Sequence, residues 1–427
     1  MVGVEGVALK RAVPRWQVLG LAVNDVVGSG VYLLPAAATL LLGAWSLGAV
    51  ALAALAVLLI VLCFAEAGSR FDEPGGGYLY ARMAFGDLVG FEVGWMTWLA
   101  RVASVASLSA GFAQALSYLM PEVASGVPRQ LTIVSLFVVL TAINVGGVVA
   151  GARTAVGLAI AKLLPLVLFV VAGAFAFSWT TLESQPMPER FGLGEAALLL
   201  LFAYAGFENT PAPAGEYKRP QRDVPFALLG NLALVTVLYF SVQAIALGTL
   251  PGLATSDTPL ADASEGFLGP WAGFVLTVGA AVSILGTSSA TTLSGPRYLF
   301  AIARDGFGPR FLAKVHPRFR TPANAILFQS AVALPLALTG SFVGLAALSV
   351  IARLATYIGT AAAVPVLRKR GDLPPASFVL PGGPTIPILA CLVSAALAAS
   401  AGPRNLVAGA IALVVGLGIY ALRRRPA

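Results

Sequence analysis

An all-α integral membrane protein of about twelve spanning helices is the fold class this sequence predicts, at roughly 20 apolar residues per crossing. Three observations carry that prediction. Of the 427 residues, 58% are hydrophobic and only 11% charged, with a mean hydropathy of +0.87, values that belong to polytopic membrane proteins. Long apolar runs recur along the chain, and the longest polar stretches between them, near 180–193, 251–268, 303–321 and 368–383, are too short for a soluble domain. The basic residues collect in alternate loops.

Taken in order, the first span, 16–43, is apolar but interrupted by Gly28-Ser29-Gly30, and the second, 45–69, carries Cys63 and Glu66. The third, 84–119, contains Arg101; the fourth, 130–149, is followed by the fifth, 154–179, with Lys162 in its apolar run. The sixth, 194–216, holds Glu208, and the seventh covers 224–250. The eighth, 269–301, carries Ser283, Ser288 and Arg297; the ninth covers 322–339, and the tenth, 342–367, contains Arg353. A proline- and glycine-rich loop, 368–384, separates these ten from a last pair at 384–401 and 404–422. One membrane domain therefore occupies 1–427.

With the N-terminus inside, one set of loops holds Lys10, Arg11, Arg15, Arg70, Arg82, Arg153, Lys218, Arg219, Arg222, Arg304, Arg310, Lys314, Arg318, Arg320, Arg368, Lys369, Arg370, Arg423, Arg424 and Arg425, against Arg129, Arg190 and Arg404 opposite. The positive-inside rule then places both termini in the cytoplasm of a cell-membrane protein. The net charge of +8 follows these loops and is no nucleic-acid footprint. The first apolar run is too long for a signal-peptide core and lacks a small-residue cleavage site, so it is read as a retained helix. Cys63 and Cys391 fall in spans and form no disulfide framework, and the single histidine, His316, lies in a basic loop. No metal site or cofactor is expected.

Two places resist reading as ordinary spanning helix. Asn24 to Pro35 sets Gly28-Ser29-Gly30 one turn past a carboxylate, and Phe202 to Asn209 sets Gly206 among aromatics next to Glu208. Unwound backbone survives at membrane depth only where protein buries it or where it lines a cavity. Such paired breaks, one in each half of the chain, are the pattern of transporters with inverted repeats.

Ordered motifs strengthen this. Gly28-Ser29-Gly30 with Pro35; Glu66, then Pro74-Gly75-Gly76-Gly77-Tyr78-Leu79-Tyr80, Gly86 and Gly94-Trp95; Gly206-Phe207-Glu208, then Gly215-Glu216-Tyr217-Lys218-Arg219-Pro220 and Val224-Pro225; and Arg297 with Ala303-Arg304-Asp305-Gly306 and Pro309 occur in that sequence. From the first span to about Arg370 the chain resembles the amino acid, polyamine and organocation transporter superfamily with the leucine-transporter fold. The resemblance implies a five-plus-five inverted repeat, about 16–179 and 194–367, with broken helices 1 and 6, and two peripheral helices at about 384–422.

It also implies a substrate site. Free amides at Ser29 and Gly30 stand at a positive helix end suited to a carboxylate, with Gly28 beside them in the substrate site. Carbonyls released at Val26, Phe202 and Ala205 suit an ammonium. In sodium-driven relatives the region of Lys162 helps hold a sodium ion, and members with a lysine here resemble sodium-independent carriers; the other reading is a lysine snorkelling to the cytoplasmic end. Glu208 stands either for proton coupling and gating or for a permanent salt bridge, since a carboxylate at a span centre costs about 2.5 to 3.5 kcal/mol on insertion scales. Asp25 departs from the usual apolar half-helix. It answers Lys162, answers Arg101, or biases the cavity towards cations, a buried ion pair leading. Arg101 and Arg353 shape charge selection or pair with Asp25, Glu92 or Glu208. Arg297 and Asp305 organise the cytoplasmic end. Tyr32, Trp98, Phe202, Tyr204, Phe207, Ser283 and Ser288 are candidates to face the substrate side chain, Phe202 foremost.

The expected function is therefore sodium-independent secondary amino acid transport, by proton symport or amino acid exchange, with a small-molecule amino acid, protons and the lipid bilayer as partners and no nucleic acid. A polyamine or organic-cation carrier of the same fold is the alternative. A sensor without transport would call for a signalling domain or long tail, which a chain ending just after its last helix does not offer. An enzyme would need a nucleophile with its base or a ligand cluster, and no phosphate-binding loop points to nucleotide-driven transport.

Overall fold

A computed structural model describes residues 11–73, 75–146, 152–188, 190–319 and 321–422. Lys10, Pro74, Arg320, Arg423, Arg424 and Arg425, and the side chain of Arg153, lie outside them. In chain order the helices are α1 (Arg15–Val26), α2 (Gly30–Leu42), α3 (Ser46–Gly68), α4 (Gly76–Phe85), α5 (Asp87–Leu116), α6 (Gly126–Gly146), α7 (Ala152–Ala176) and α8 (Trp179–Glu183). There follow α9 (Leu193–Tyr204), α10 (Pro220–Thr249), α11 (Pro259–Leu268), α12 (Pro270–Arg304), α13 (Ala323–Thr339), α14 (Phe342–Arg368), α15 (Thr385–Ala399) and α16 (Gly402–Ala421). Among the described residues eight helical stretches are long and apolar enough to cross a membrane, α2 and α3 counting as one, and α9, α13 and α15 are shorter apolar helices. The chain is an all-α membrane protein.

Long apolar side chains without a polar face make helices that bury themselves on all sides or face lipid. At the centre α5 packs against both α12 and α14, α3 against α10, α6 against α13, α2 against α9, and α1 against α7 and α10. α15 lies on α3 and α14, while α16 touches α5 and α14 and leaves most of its surface open. The connection between α14 and α15 has no helix, yet it is tied down. The buried Glu66 takes two bonds from Arg368, at 2.7 and 2.6 Å, and one from the Leu380 amide at 2.8 Å, and Ser69 exchanges bonds with the backbone of Phe378.

The first span is interrupted where expected, between Val26 and Gly30. The sixth is also interrupted where expected, after Tyr204, but the second half-helix implied by a broken span over 194–216 does not form. Its α-helix ends at Tyr204, Ala205 is extended, Gly206 turns through φ 129°, and short 3₁₀ turns at Phe207–Asn209 and Ala214–Glu216 replace the second half. Pro211 and Pro213 supply the reason: each lacks an amide donor and its ring disfavours helix in the residue before it, so an α-helix cannot restart between them.

The two interruptions cross in direct contact. A Cβ on Gly30 would sit 2.7 Å from Ala203 Cα, and a Cβ on Gly206 would sit 2.7 Å from the Asp25 carbonyl oxygen. Only glycine admits that approach, and at Gly206 only glycine takes the φ without strain.

Candidate functional site

Where the interruptions cross, a small cavity opens. It is lined by Asp25, Val26, Gly28, Ser29 and Gly30 from the first break, by Phe202, Ala203, Ala205, Gly206 and Asn209 from the second, and by Arg101, Ser104, Leu108, Thr287, Thr291 and Arg353 from α5, α12 and α14. All six residues expected to bind substrate (Val26, Gly28, Ser29, Gly30, Phe202 and Ala205) are among them. Of the aromatic and serine candidates, Phe202 alone lines it, in edge contact with Phe342.

The backbone polarity is partly as anticipated. Among the described residues no carbonyl pairs with the amides of Gly28, Ser29 or Gly30, and the buried Ser29 hydroxyl has no partner either. The carbonyls are more occupied than expected. Tyr239, from α10, donates its hydroxyl to Val26 O at 3.3 Å and Ala203 O at 3.0 Å, and Phe202 O accepts from the Ala205 amide at 3.1 Å.

Lys162 is wholly buried and does not snorkel. Its ammonium donates to Asn24 O at 2.8 Å, Val27 O at 3.2 Å and Thr287 Oγ1 at 3.1 Å, and so sits beneath the first break, joined to α12. Ser283 also donates to Val27 O, at 3.0 Å. Unravelling a helix frees carbonyls, and a cation is the ligand that satisfies several at once. Gly286 makes room for this, since a Cβ there would lie 2.9 Å from Lys162 Cε. Tyr32, expected in the cavity, donates instead to Lys162 O at 3.1 Å.

Glu208 stands behind the cavity, 3% exposed, with both arginines. Arg353 Nη1 and Arg101 Nη2 share its Oε1, the latter at 3.1 Å, while Oε2 accepts from the Gly206 amide at 2.9 Å and Tyr357 at 3.3 Å. The carboxylate therefore pins the second break to α5 and α14. Arg353 is otherwise spent on Ser104 and Ser349. Arg101 bonds Asn209 as well, but its Nε is buried without a partner.

Asp25 departs from the buried ion pair expected of it. It joins no ion pair among the described residues; its Oδ2 accepts from Asn209 Nδ2 at 3.2 Å. The amide of Asn209 bridges Asp25 to Arg101, which lets the carboxylate stay at the cavity wall without closing on the guanidinium.

Lys162 and Glu208 thus flank the cavity rather than line it. Sequence reasoning gave no role to Tyr239, Asn209 or Gly286, whose positions follow from packing; the only signal was Asn209 standing beside Glu208 in the second interruption.

Away from the cavity, Tyr78 on α4 donates to Asp305 at 2.9 Å, and Arg82 reaches the same carboxylate at 3.4 Å. Burial and then the Asp305 charge push the Tyr78 hydroxyl up to about 12, which keeps it a donor. Asp305 thus organises the end of α12, whereas among the described residues Arg297 bonds only Leu293 O, at 2.7 Å. Cys63 and Cys391 are free thiols.

Comparison with known proteins places nearly the whole chain in one family. Residues 14–419 match the amino acid permease family. The chain is 30% identical to the branched-chain amino acid permease BcaP of Bacillus subtilis, over 98% of this chain and 94% of that protein. It is 29% identical to the serine/threonine exchanger SteT of the same organism, over 98% of each chain. To the cationic amino acid transporter 4 of Mus musculus it is 29% identical over 88% of this chain and 63% of that one. With its apolar helices, its two crossed interruptions and this match over nearly its whole length, the chain is a multi-pass membrane protein belonging to the amino acid permease family.

Proposed function

We propose that the chain is a sodium-independent secondary amino acid transporter of the cell membrane, working by proton symport or amino acid exchange, and that transport rather than catalysis is its activity. The observation that carries this is the Lys162 ammonium seated among Asn24 O, Val27 O and Thr287 Oγ1. Those oxygens are the donor set a small monovalent cation would use, and a covalently held ammonium already neutralises them. No second cation is needed to stabilise the first break.

Substrate enters as a zwitterion. Its carboxylate takes the unpaired amides of Gly28, Ser29 and Gly30, and its ammonium lies towards Asp25 and the Ala205 carbonyl, with Val26 and Phe202 shaping the walls. Glu208, locked to two arginines, sets the second break, and in proton symport either it or Lys162 carries the coupled proton.

The supporting architecture is a twelve-span, five-plus-five inverted repeat with the first repeat over about 16–179, the second over about 194–367 and a peripheral pair over about 384–422. The packing partners support it: α2 with α9, α3 with α10, α5 with α12 and α6 with α13 are each related by the same repeat offset. Rocking one group of helices against the other about the crossed breaks provides alternating access. Both termini face the cytoplasm in this reading, the side carrying most of the lysines and arginines.

One observation favours a second reading, an organic-cation or polyamine carrier: Asp25 lines the cavity without a cationic partner. Uptake into proteoliposomes decides between them. Labelled amino acids driven by a proton gradient or by internal amino acid, indifferent to sodium and lost in Lys162→Ala, are the expected result. Sodium-driven uptake overturns the role of Lys162, and selective polyamine uptake favours the second reading.

A further inference from the structure

The cavity has more positive charge than its carboxylates answer. Arg101, Arg353 and Lys162 stand around it with Asp25 and Glu208, so the formal sum is one positive charge in excess. All but Asp25 are buried, and an unanswered charge at membrane depth is costly. The excess can be traced to a particular group. Lys162 has three oxygen partners, and the three nitrogens of Arg353 are each engaged, with Glu208, Ser104 and Ser349. Arg101 differs. It is 2% exposed, and only its Nη2 is bonded, to Glu208 and Asn209; Nε is buried without a partner, and among the described residues Nη1 has none either. A buried guanidinium with donors left over, at the wall of a cavity, is a site for an acceptor that the protein does not itself provide.

Building on the amino acid transport reading above, we propose that the cargo is an amino acid with an anionic side chain, a dicarboxylic amino acid, and that Arg101 receives its side-chain carboxylate. The rest of the cavity divides the substrate's charges by place. The amides of Gly28, Ser29 and Gly30 and the Asp25 carboxylate belong to the first break and take the α-carboxylate and α-ammonium. Arg101 comes from α5, across the cavity, where Ser104 and Leu108 from the same helix form the wall. A dicarboxylic substrate carries a net charge of minus one and cancels the excess. A zwitterion leaves it, a cationic amino acid doubles it and a polyamine, with two or more ammonium groups, raises it further, so the same charge count sets the organic-cation reading aside.

The test is a substrate panel on the purified, reconstituted full-length protein. Proteoliposomes loaded with unlabelled aspartate, glutamate, alanine or lysine are given each labelled amino acid outside, and the same four are tested for a shift in melting temperature of the detergent-solubilised protein. The expected result is that aspartate or glutamate exchanges fastest and stabilises most. Arg101→Gln should lower the ratio of acidic to alanine exchange by about thirtyfold or more, the loss for one truncated buried charge contact, with Arg101→Lys recovering part of it. Efficient exchange of alanine or lysine with none of aspartate or glutamate overturns this proposal and leaves amino acid transport standing. Failure of every amino acid to exchange, to be taken up on an imposed proton gradient and to shift the melting temperature of a folded preparation overturns the transport reading itself. If Arg101→Gln does not fold, the wild-type panel still decides the substrate class; if it folds and keeps the wild-type ratio, Arg101 is not the receiving group.

Discussion

Replacing Gly286 by alanine tests whether the Lys162 ammonium is the cation that holds the first break. The added methyl would stand 2.9 Å from Lys162 Cε and 3.1 Å from Nζ, with Asn24 Oδ1 next at 3.7 Å. Carbon atoms rest near 3.5 to 4.0 Å, so the lysine end must retreat by roughly half an ångström to one ångström. A retreat of that size lengthens bonds to Asn24 O and Thr287 Oγ1 that now measure 2.8 and 3.1 Å. Overpacking of this kind costs about 1 to 3 kcal/mol. Expressed in transport, that is about a five- to 150-fold loss. The assay is a double-mutant cycle of wild type, Gly286→Ala, Lys162→Ala and the two together, read in melting temperature and denaturant stability because Lys162→Ala is itself expected to abolish uptake; exchange is measured for wild type and Gly286→Ala alone. If the alanine acts through the ammonium, its penalty should nearly vanish once the lysine is gone, giving a coupling energy well above the roughly 0.5 kcal/mol of independent sites. An equal penalty in both backgrounds would refute the reasoning, because the methyl would then be acting through helix packing alone.

Three further outcomes are expected. Tyr239→Phe strips the donor from Val26 O and Ala203 O, and should cost about 1 to 3 kcal/mol in thermal or denaturant stability while the fold persists; an unchanged melting temperature would show that the hydroxyl is replaceable. Glu208→Gln leaves two buried guanidiniums facing each other without a carboxylate, and should destabilise by about 3 to 5 kcal/mol and abolish exchange; wild-type exchange at full stability would sink the locking role. Arg368→Ala leaves Glu66 fully buried with the Leu380 amide and, among the described residues, no cation nearer than Arg70 at 3.8 Å, and should lose a similar amount, read as a lower melting temperature and poor recovery from the membrane.

Much of the site was legible because membrane-embedded charge is rare enough to stand out. Lys162 and Glu208 were conspicuous in apolar runs, and Gly28-Ser29-Gly30 marked the break. Their partners were not legible. Lys162 meets Asn24 O and Val27 O, main-chain atoms with no signature in any sequence, about 140 residues away along the chain. For Asp25 the expectation rested on charge pairing alone, and it failed because a neutral amide, Asn209, is the nearer group. The sixth span was overextended for a related reason: its apolar run, which ends near Ala205, was carried on to a full crossing length, whereas Pro211 and Pro213 act on backbone geometry and deny the second half a helix. Helix extents elsewhere matched to within a few residues, since an apolar run long enough to cross a bilayer has few other folds open to it.

The tethered connection between α14 and α15 bears on how the protein is handled at the bench. Without a helix and rich in proline and glycine, it looks like the natural place for an inserted epitope, a fluorescent label or an engineered protease site. Its backbone is instead knotted to Glu66 and Ser69 at the end of α3 and, through Ser377, to Gln221 at the start of α10. An insertion between Phe378 and Leu380 would pull on the carboxylate that Arg368 neutralises, so a reporter placed there would perturb the helix ends it was meant to observe.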